Sequence, residues 1–317
     1  MGLSKGVYVM GPWEIPCLIK RGDKEHPINF QDYLLMKDFR HNNAVFIENF
    51  FMDDDAGCLI LSNVSGSLEA CLRKNASIAF VKECNEYKFS SVLRGLIIEI
   101  CQVVESLMKL DLYPRNISMD NMCLIYNGNM PVMKVLIYDV ENTKGFSDAV
   151  KSAKSKIVYD KVKLMVNKIC EDLGRQPLHI TTKCFIDYIG GDTTSKLNRY
   201  PDVWTDEDKE WYLYCIDSAD RRRVGPPIRS LWEDSGWPKT PDGAVQPLLE
   251  RLRAEERTYF RVYDTSDPID YLRLARNVIK HWVKYKGLPA DRAGFLRLLE
   301  EWTPGIWCKI YNAVGMP

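Results

Sequence analysis

A phenol, a guanidinium, an amide and an imidazole stand close together near the C-terminus, at Tyr263, Arg276, Asn277 and His281. Imidazole changes protonation nearest neutral pH, and guanidinium and phenol are donors suited to anionic oxygen. A set of this kind can move protons and hold negative charge. Histidine is scarce here, four in 317 residues, which draws attention to His281. The plainer interpretation is a solvated face of an amphipathic helix, and arginine or lysine on such a face is ordinary.

The helix that would carry three of these residues has clear boundaries. Ser266 or Asp267 can accept from the open N–H groups of a first turn, and Pro268 suits the first helical position. Gly287 and Pro289 supply a stop. With about 100° per residue, Tyr271, Leu272, Leu274, Ala275, Val278, Ile279, Trp282 and Val283 form one apolar arc. Asp270, Arg273, Arg276, Asn277, Lys280, His281 and Lys284 form the other, with Asn277 one turn before His281. Tyr263 lies in the loop ahead of the cap.

Length favours two domains, and 46% hydrophobic with 27% charged residues is a globular composition. Formal net charge is zero, so any nucleic-acid site must be a local patch. The triplet Arg221-Arg222-Arg223 and the series Arg251, Arg253, Arg257, Arg261 are candidates, both interleaved with acids. Ten cysteines are scattered without CxxC or zinc-finger spacing. Met1–Lys5 lacks an apolar stretch behind a basic start, and the apolar segment 92–110 is broken by Arg94, Glu99 and Glu105. A reduced, cytoplasmic protein with no membrane association is expected, a nuclear location being the alternative. No internal repeat or low-complexity run is present.

In the first two-thirds, 6–22 suggests two short strands, and VYVMG followed by CLIK resembles the second and third strands of a protein-kinase small lobe. That places Lys20 at the phosphate-pairing lysine. The following helix, near 28–39, offers Asp32 where a glutamate would hold that lysine. Segments 44–55 and 57–74 suggest a hairpin running into a helix, and 88–110 a long buried helix. Then 113-YPRNISMDNMCLI-125 and 135-VLIYDVENT-143 resemble the catalytic loop and the magnesium-binding triplet. Arg115, Asn121 and Asp139 are kept, but Asn116 replaces the catalytic aspartate and the triplet is Asp-Val-Glu. An amide cannot take a hydroxyl proton as a carboxylate does, so phosphoryl transfer is not expected. Lys20, Asn121 and Asp139 could still hold ATP or ADP, with Asn121 and Asp139 on Mg²⁺; the alternative is a degenerate pocket. A basic stretch at 141–160 stands where an activation loop would be, with a helix at 155–173. Asp160 would take the place of that lobe's usual buried aspartate.

FRVY at 260–263, DYLRLARNVIKHW at 270–282 and KGLP at 286–289 are similar to the nuclease domain shared by oligoadenylate-dependent ribonuclease L and the inositol-requiring unfolded-protein-response kinase–nuclease, the KEN-type family. SLEACL at 67–72 and the Pro201/Trp204 segment, where Tyr200 replaces the family's histidine, extend the resemblance. The implied fold class is α+β: a kinase-like bilobal domain with a reduced small lobe over 1–204, a pseudokinase, fused to an all-α KEN nuclease domain over 205–317. No Gly/Ser linker separates them, so a rigid fusion is expected. Trp237 is a weak match to an aromatic that shapes the site.

The resemblance implies an endoribonuclease cutting single-stranded or loop RNA. The 2′-OH is an internal nucleophile, so no metal or other cofactor is needed for cleavage. His281 becomes the acid–base residue, Tyr263 and Arg276 stabilise the phosphate, with Tyr263 also able to relay the 2′-OH proton, and Asn277 orients the site. Products would be a 2′,3′-cyclic phosphate and a 5′-OH. Activity would require a back-to-back homodimer built on the pseudokinase platform. The rival is an inactive pseudokinase/KEN scaffold used for dimerisation or RNA binding; an active kinase is disfavoured by Asn116.

Overall fold

Alternating short side chains and β-branched residues make the N-terminus extended. In the computed structural model, which describes residues 3–10, 12–22, 27–74, 76–83, 85–128, 130–191, 193–231, 237–258 and 261–316, β1 (Leu3–Met10) pairs antiparallel with β2 (Trp13–Arg21), from Leu3 opposite Lys20 to Met10 opposite Trp13. With β3 (Ile47–Asp53) and β4 (Ala56–Leu61) they form a sheet of order β1-β2-β4-β3. Cys58 to Leu61 are buried without alternation, as a strand covered on both faces requires. The helix α1 (Phe30–Met36) is capped by the Asn29 side chain, which accepts from Asp32 N at 2.9 Å. Phe260 and Cys84 lie outside the described residues.

A longer helix organises the rest of this unit. After α2 (Leu68–Lys74) and α3 (Ala76–Ala79), α4 spans Ser91–Met108, and Ser90 Oγ accepts from Leu93 N at 3.2 Å to start it. Its three charged breaks are each partnered, because an unpaired charge in this setting would cost several kcal/mol, on the order of 2–7 even for a neutral polar group. Arg94 donates to Leu197 O at 2.8 Å, Glu99 accepts from Met133 N at 2.7 Å, and Glu105 accepts from Thr194 N at 3.1 Å. Between β3/β4 and α4 lie the short strands β5 (Gly66–Ser67), β6 (Phe80–Glu83) and β7 (Glu86–Phe89). Beyond α4, β8 (Leu112–Pro114) pairs with β11 (Val140–Asn142), while β9 (Met122–Asn127) pairs with β5 and β10 (Met130–Val135). These ladders fix the loops at 115–121 and 136–139. The helix α5 (Asp148–Asp172) begins at Asp148, so the basic stretch expected as a loop is largely helical, and Asp160 on it is exposed rather than buried. The unit ends with α6 (Ile180–Tyr188) and α7 (Thr194–Asn198).

The chain divides into compact units at 1–198 and 199–317, so the segment 199–204 belongs with the second unit and not with the 1–204 domain expected from sequence. The reason is aromatic packing. Tyr200 donates from its hydroxyl to Asn312 Oδ1 at 3.0 Å, and Trp204 packs edge-on against Tyr212 and Tyr311 with ring centroids 4.6 and 5.9 Å away. Among the described residues the second unit has helices and, apart from a single antiparallel bridge between Lys239 and Val245, no strand pairing: α8 (Asp206–Ser218), α9 (Arg221–Leu231), α10 (Pro247–Arg257), α11 (Pro268–Lys280), α12 (Arg292–Trp302) and α13 (Ile306–Val314). Both units together make a mixed α/β chain. No helix among the described residues is long and apolar enough to cross a membrane.

Burial decides the stability of α11. Leu272, Leu274, Val278 and Ile279 are fully enclosed, each worth about 1.5–3 kcal/mol. Surface ion pairs on the same helix contribute only about 0–1 kcal/mol apiece. The start follows the sequence, with Asp267 Oδ1 accepting from Ile269 N at 3.0 Å and Pro268 first in the helix. The end does not: α11 stops at Lys280, His281 is the capping residue, and a 3-10 turn takes Trp282–Lys284. Val283, expected on the buried arc, is therefore 96% exposed.

Candidate functional site

The helix α10 carries the residue around which the second unit's polar cluster forms. Leu249, Leu252 and Glu256 lie on its inward face and all are buried. A carboxylate there must be fully hydrogen-bonded. Glu256 Oε2 accepts from Arg261 Nη1 at 2.9 Å and from the Tyr263 hydroxyl at 3.1 Å, and Oε1 accepts from the Tyr285 hydroxyl. Burial pushes this carboxyl up, but the bonds from Tyr285, Arg261 and Tyr263 outweigh it and hold it below the usual glutamate range.

Tyr263 and Asn277 are brought together. The Asn277 amide donates through Nδ2 to the Tyr263 hydroxyl, linking the loop before α11 to the helix itself. Asn277 was expected on the solvated arc; it is buried, because the loop and Glu256's group cover that side. Its Oδ1 has no hydrogen-bond partner among the described residues. The Tyr263 ring is enclosed, with Trp237 packed edge-on at 6.4 Å between centroids and the Arg273 guanidinium over it at 5.5 Å. Burial raises the Tyr263 phenol above its ordinary range, so it stays protonated and acts as a donor.

His281 is one turn beyond Asn277 and half-buried at the C-terminal end of α11. Its backbone N donates to Asn277 O at 3.0 Å. Burial lowers its imidazole below the ordinary range, and the cations Lys284, Arg261 and Lys280 lower it further against an opposing contribution from Glu256. The imidazole therefore shares a neighbourhood with the Arg261–Glu256 pair.

Arg276 points elsewhere. Its guanidinium pairs with Asp217 on α8, where Arg273 also reaches Asp217 at 3.7 Å and Asp270 at 2.8 Å. Three of the four sequence-chosen residues thus gather around Glu256, and the fourth ties α11 to α8. Glu256 and Tyr285 are not singled out by sequence, and Arg261 only as one member of a basic series. A signal for Glu256 existed: it continues the Leu249/Leu252 stripe of α10, an acid at an apolar position. In the basic patches, Arg253 is paired with Glu250 at 2.7 Å and Arg221 with Asp270 at 3.7 Å, whereas Arg222, Arg223 and Arg257 are exposed.

In the first unit, Lys20 is buried on β2 with its ammonium 5.8 Å from the centre of the Tyr138 ring. Asn116 Nδ2 donates to the Tyr138 hydroxyl at 3.1 Å, and Asn121 Nδ2 to Asn116 O at 3.1 Å. Asp139 lies 3.6 Å from Arg115. No ion pair joins Lys20 to Asp32 among the described residues; burial raises the Asp32 carboxyl, and Asp139 adds to that. Lys20 and Asn121 are buried against protein groups, while the Asp139 side chain stays 34% exposed. Among the described residues no cluster of three or more His, Cys, Asp or Glu side chains could hold a metal ion.

No protein family and no curated protein matches the chain. Among solved structures, the crystal structure of Rad53 1–466 in complex with AMP-PNP is similar at 15% identity and a TM-score of 0.42, over 63% of this chain and 61% of that chain. The chain spans about three-fifths of the length of that solved chain, and a likeness this slight assigns neither fold nor ligand.

Proposed function

We propose that this chain is a metal-independent endoribonuclease, built as a kinase-like platform without phosphoryl-transfer activity followed by a KEN-type nuclease domain. The observation that carries the reading is the Tyr263–Asn277 hydrogen bond one turn from a half-exposed His281. A solvated helix face has no reason to bury an asparagine against a tyrosine while leaving an imidazole accessible at the same end.

In the proposed reaction the RNA 2′-oxygen attacks the adjacent phosphorus, the P–O5′ bond breaks, and a 2′,3′-cyclic phosphate remains. The 2′-OH proton leaves to solvent water, and protonated His281 gives its proton to the departing 5′-oxygen. Bound phosphodiester carries negative charge and raises the imidazole from its low value in the free protein. Tyr263 and Asn277 hold the site's shape from below, and a guanidinium meets the charged phosphate. Activity is proposed to need a homodimer.

One observation favours the rival scaffold reading: Arg276, the cation the resemblance assigns to the phosphate, is committed to Asp217. Incubating the protein with a fluorescent single-stranded RNA hairpin in EDTA separates the two. Cleavage to a cyclic phosphate end supports the nuclease, and intact RNA bound to the protein supports the scaffold.

A further inference from the structure

Two guanidiniums lie near the end of α11, and their surroundings differ. Arg276 is directed at Asp217, with its side chain 17% exposed and Nε buried without a partner among the described residues. Arg261 is 43% exposed and anchored through one nitrogen to Glu256, whose Oε2 also takes the Tyr263 hydroxyl. A guanidinium has five N–H donors in a planar fork. The bond to Glu256 and a weaker approach to Tyr263 leave part of that fork for an anion. Glu256 is itself immobilised by Tyr285 and Tyr263 from two other segments, so the fork is preorganised rather than free to swing.

We propose that Arg261, held in place by Glu256, is the cation that meets the scissile phosphate beside His281, and that Arg276 is a structural tie between α11 and α8. This rests on the nuclease reading for its substrate, but the anion site itself does not. Arg261 is the catalytic contact, and Glu256 is a positioning residue acting through it. The electrostatics agree: Arg261 acts on the His281 imidazole along with Lys284, Lys280 and Glu256, while Arg276 does not figure among them.

The test follows the His281 imidazole resonance by NMR in the full chain, across pH and with inorganic phosphate as the probe. Arg261→Ala removes a cation, so the His281 pKa should rise; Glu256→Gln removes an anion and should lower it. Arg276→Lys, which keeps the charge for Asp217, should leave it unmoved. Phosphate should shift the resonance in the unaltered and Arg276→Lys proteins and not in Arg261→Ala. In the chelator cleavage assay, Arg261→Ala should lose about 100-fold and Arg276→Lys less than about 10-fold, the conservative change keeping a point charge. A phosphate response that survives Arg261→Ala, or that is missing from the unaltered protein, overturns the proposal, as does a response lost in Arg276→Lys. Should the unaltered protein cut no RNA while the phosphate response behaves as expected, the nuclease reading falls and the anion site stands.

Discussion

The polar group around Tyr138 in the first unit and the cluster around Glu256 in the second each combine a cation, an amide and a tyrosine, and they use them in opposite ways. Around Tyr138, the Lys20 ammonium faces the ring and Asn116 holds the hydroxyl, so the tyrosine is the object of the arrangement. Around Glu256, the tyrosines and Arg261 are the supports, and an imidazole and part of a guanidinium remain accessible beside them. The difference is where the polar atoms end. Groups that close on one another stabilise a fold, and groups held from behind with a free front can meet a ligand.

The sharpest break in that comparison would come from His281. His281→Ala should reduce RNA cleavage by at least about 1,000-fold, within the range a general acid supplies, while sedimentation shows dimers intact. Cleavage at an unchanged rate would falsify the nuclease assignment. Next, Glu256→Ala should destabilise the second unit by about 3 kcal/mol in urea unfolding, because three donors lose their acceptor. The carboxyl lies below its unfolded value of 4.5, so its contribution is complete above that pH and is lost as pH falls through the lower folded value. Acid unfolding of the Gln variant should therefore show a shallower pH dependence across that window.

A smaller effect belongs to the pH–rate profile. With His281 as acid and its free-protein pKa below the ordinary 6.5, kcat/KM should fall with rising pH from below that value. The kcat profile should fall at higher pH, since bound phosphate raises the imidazole. A kcat/KM that instead rises through this region assigns His281 as the base. Cleavage should also grow faster than linearly with protein concentration. The smallest effects are expected in the first unit: Lys20→Met and Asp139→Asn should change RNA cleavage by less than about two-fold, and millimolar Mg-ATP should leave thermal unfolding where it was if no nucleotide binds. A clear thermal shift would show that Tyr138 yields to nucleotide and that the two clusters are less different than their geometry.

Much of this geometry could be read from the chain, and the exceptions have causes. The apolar arc of α11 from Tyr271 to Ile279 is a matter of period, and Asp267-Pro268 marks its start. The period fails at Val283 because His281 ends the helix, well ahead of Gly287; that glycine has φ of +60° and offers its carbonyl to Arg251 at 3.2 Å. Asn277 and Tyr263 could be picked out by resemblance, but not that one would be buried against the other. The fate of Arg276 depends on Asp217, which is 59 residues away, and no local pattern reports that. Glu256 was visible as an acid on the Leu249/Leu252 stripe, yet only its three donors explain why it is tolerated.

Those donors come from two places, Arg261 and Tyr263 in the connection before α11 and Tyr285 after the turn that follows it, and they converge on a single acceptor. An amide at Glu256 would bring its own hydrogens toward groups that must give theirs, and a shorter acid would reach fewer of them. Drift at this position is therefore blocked one step at a time: a descendant lineage that loses the glutamate should be found to have replaced Tyr285 and Arg261 as well, the three changing together or not at all.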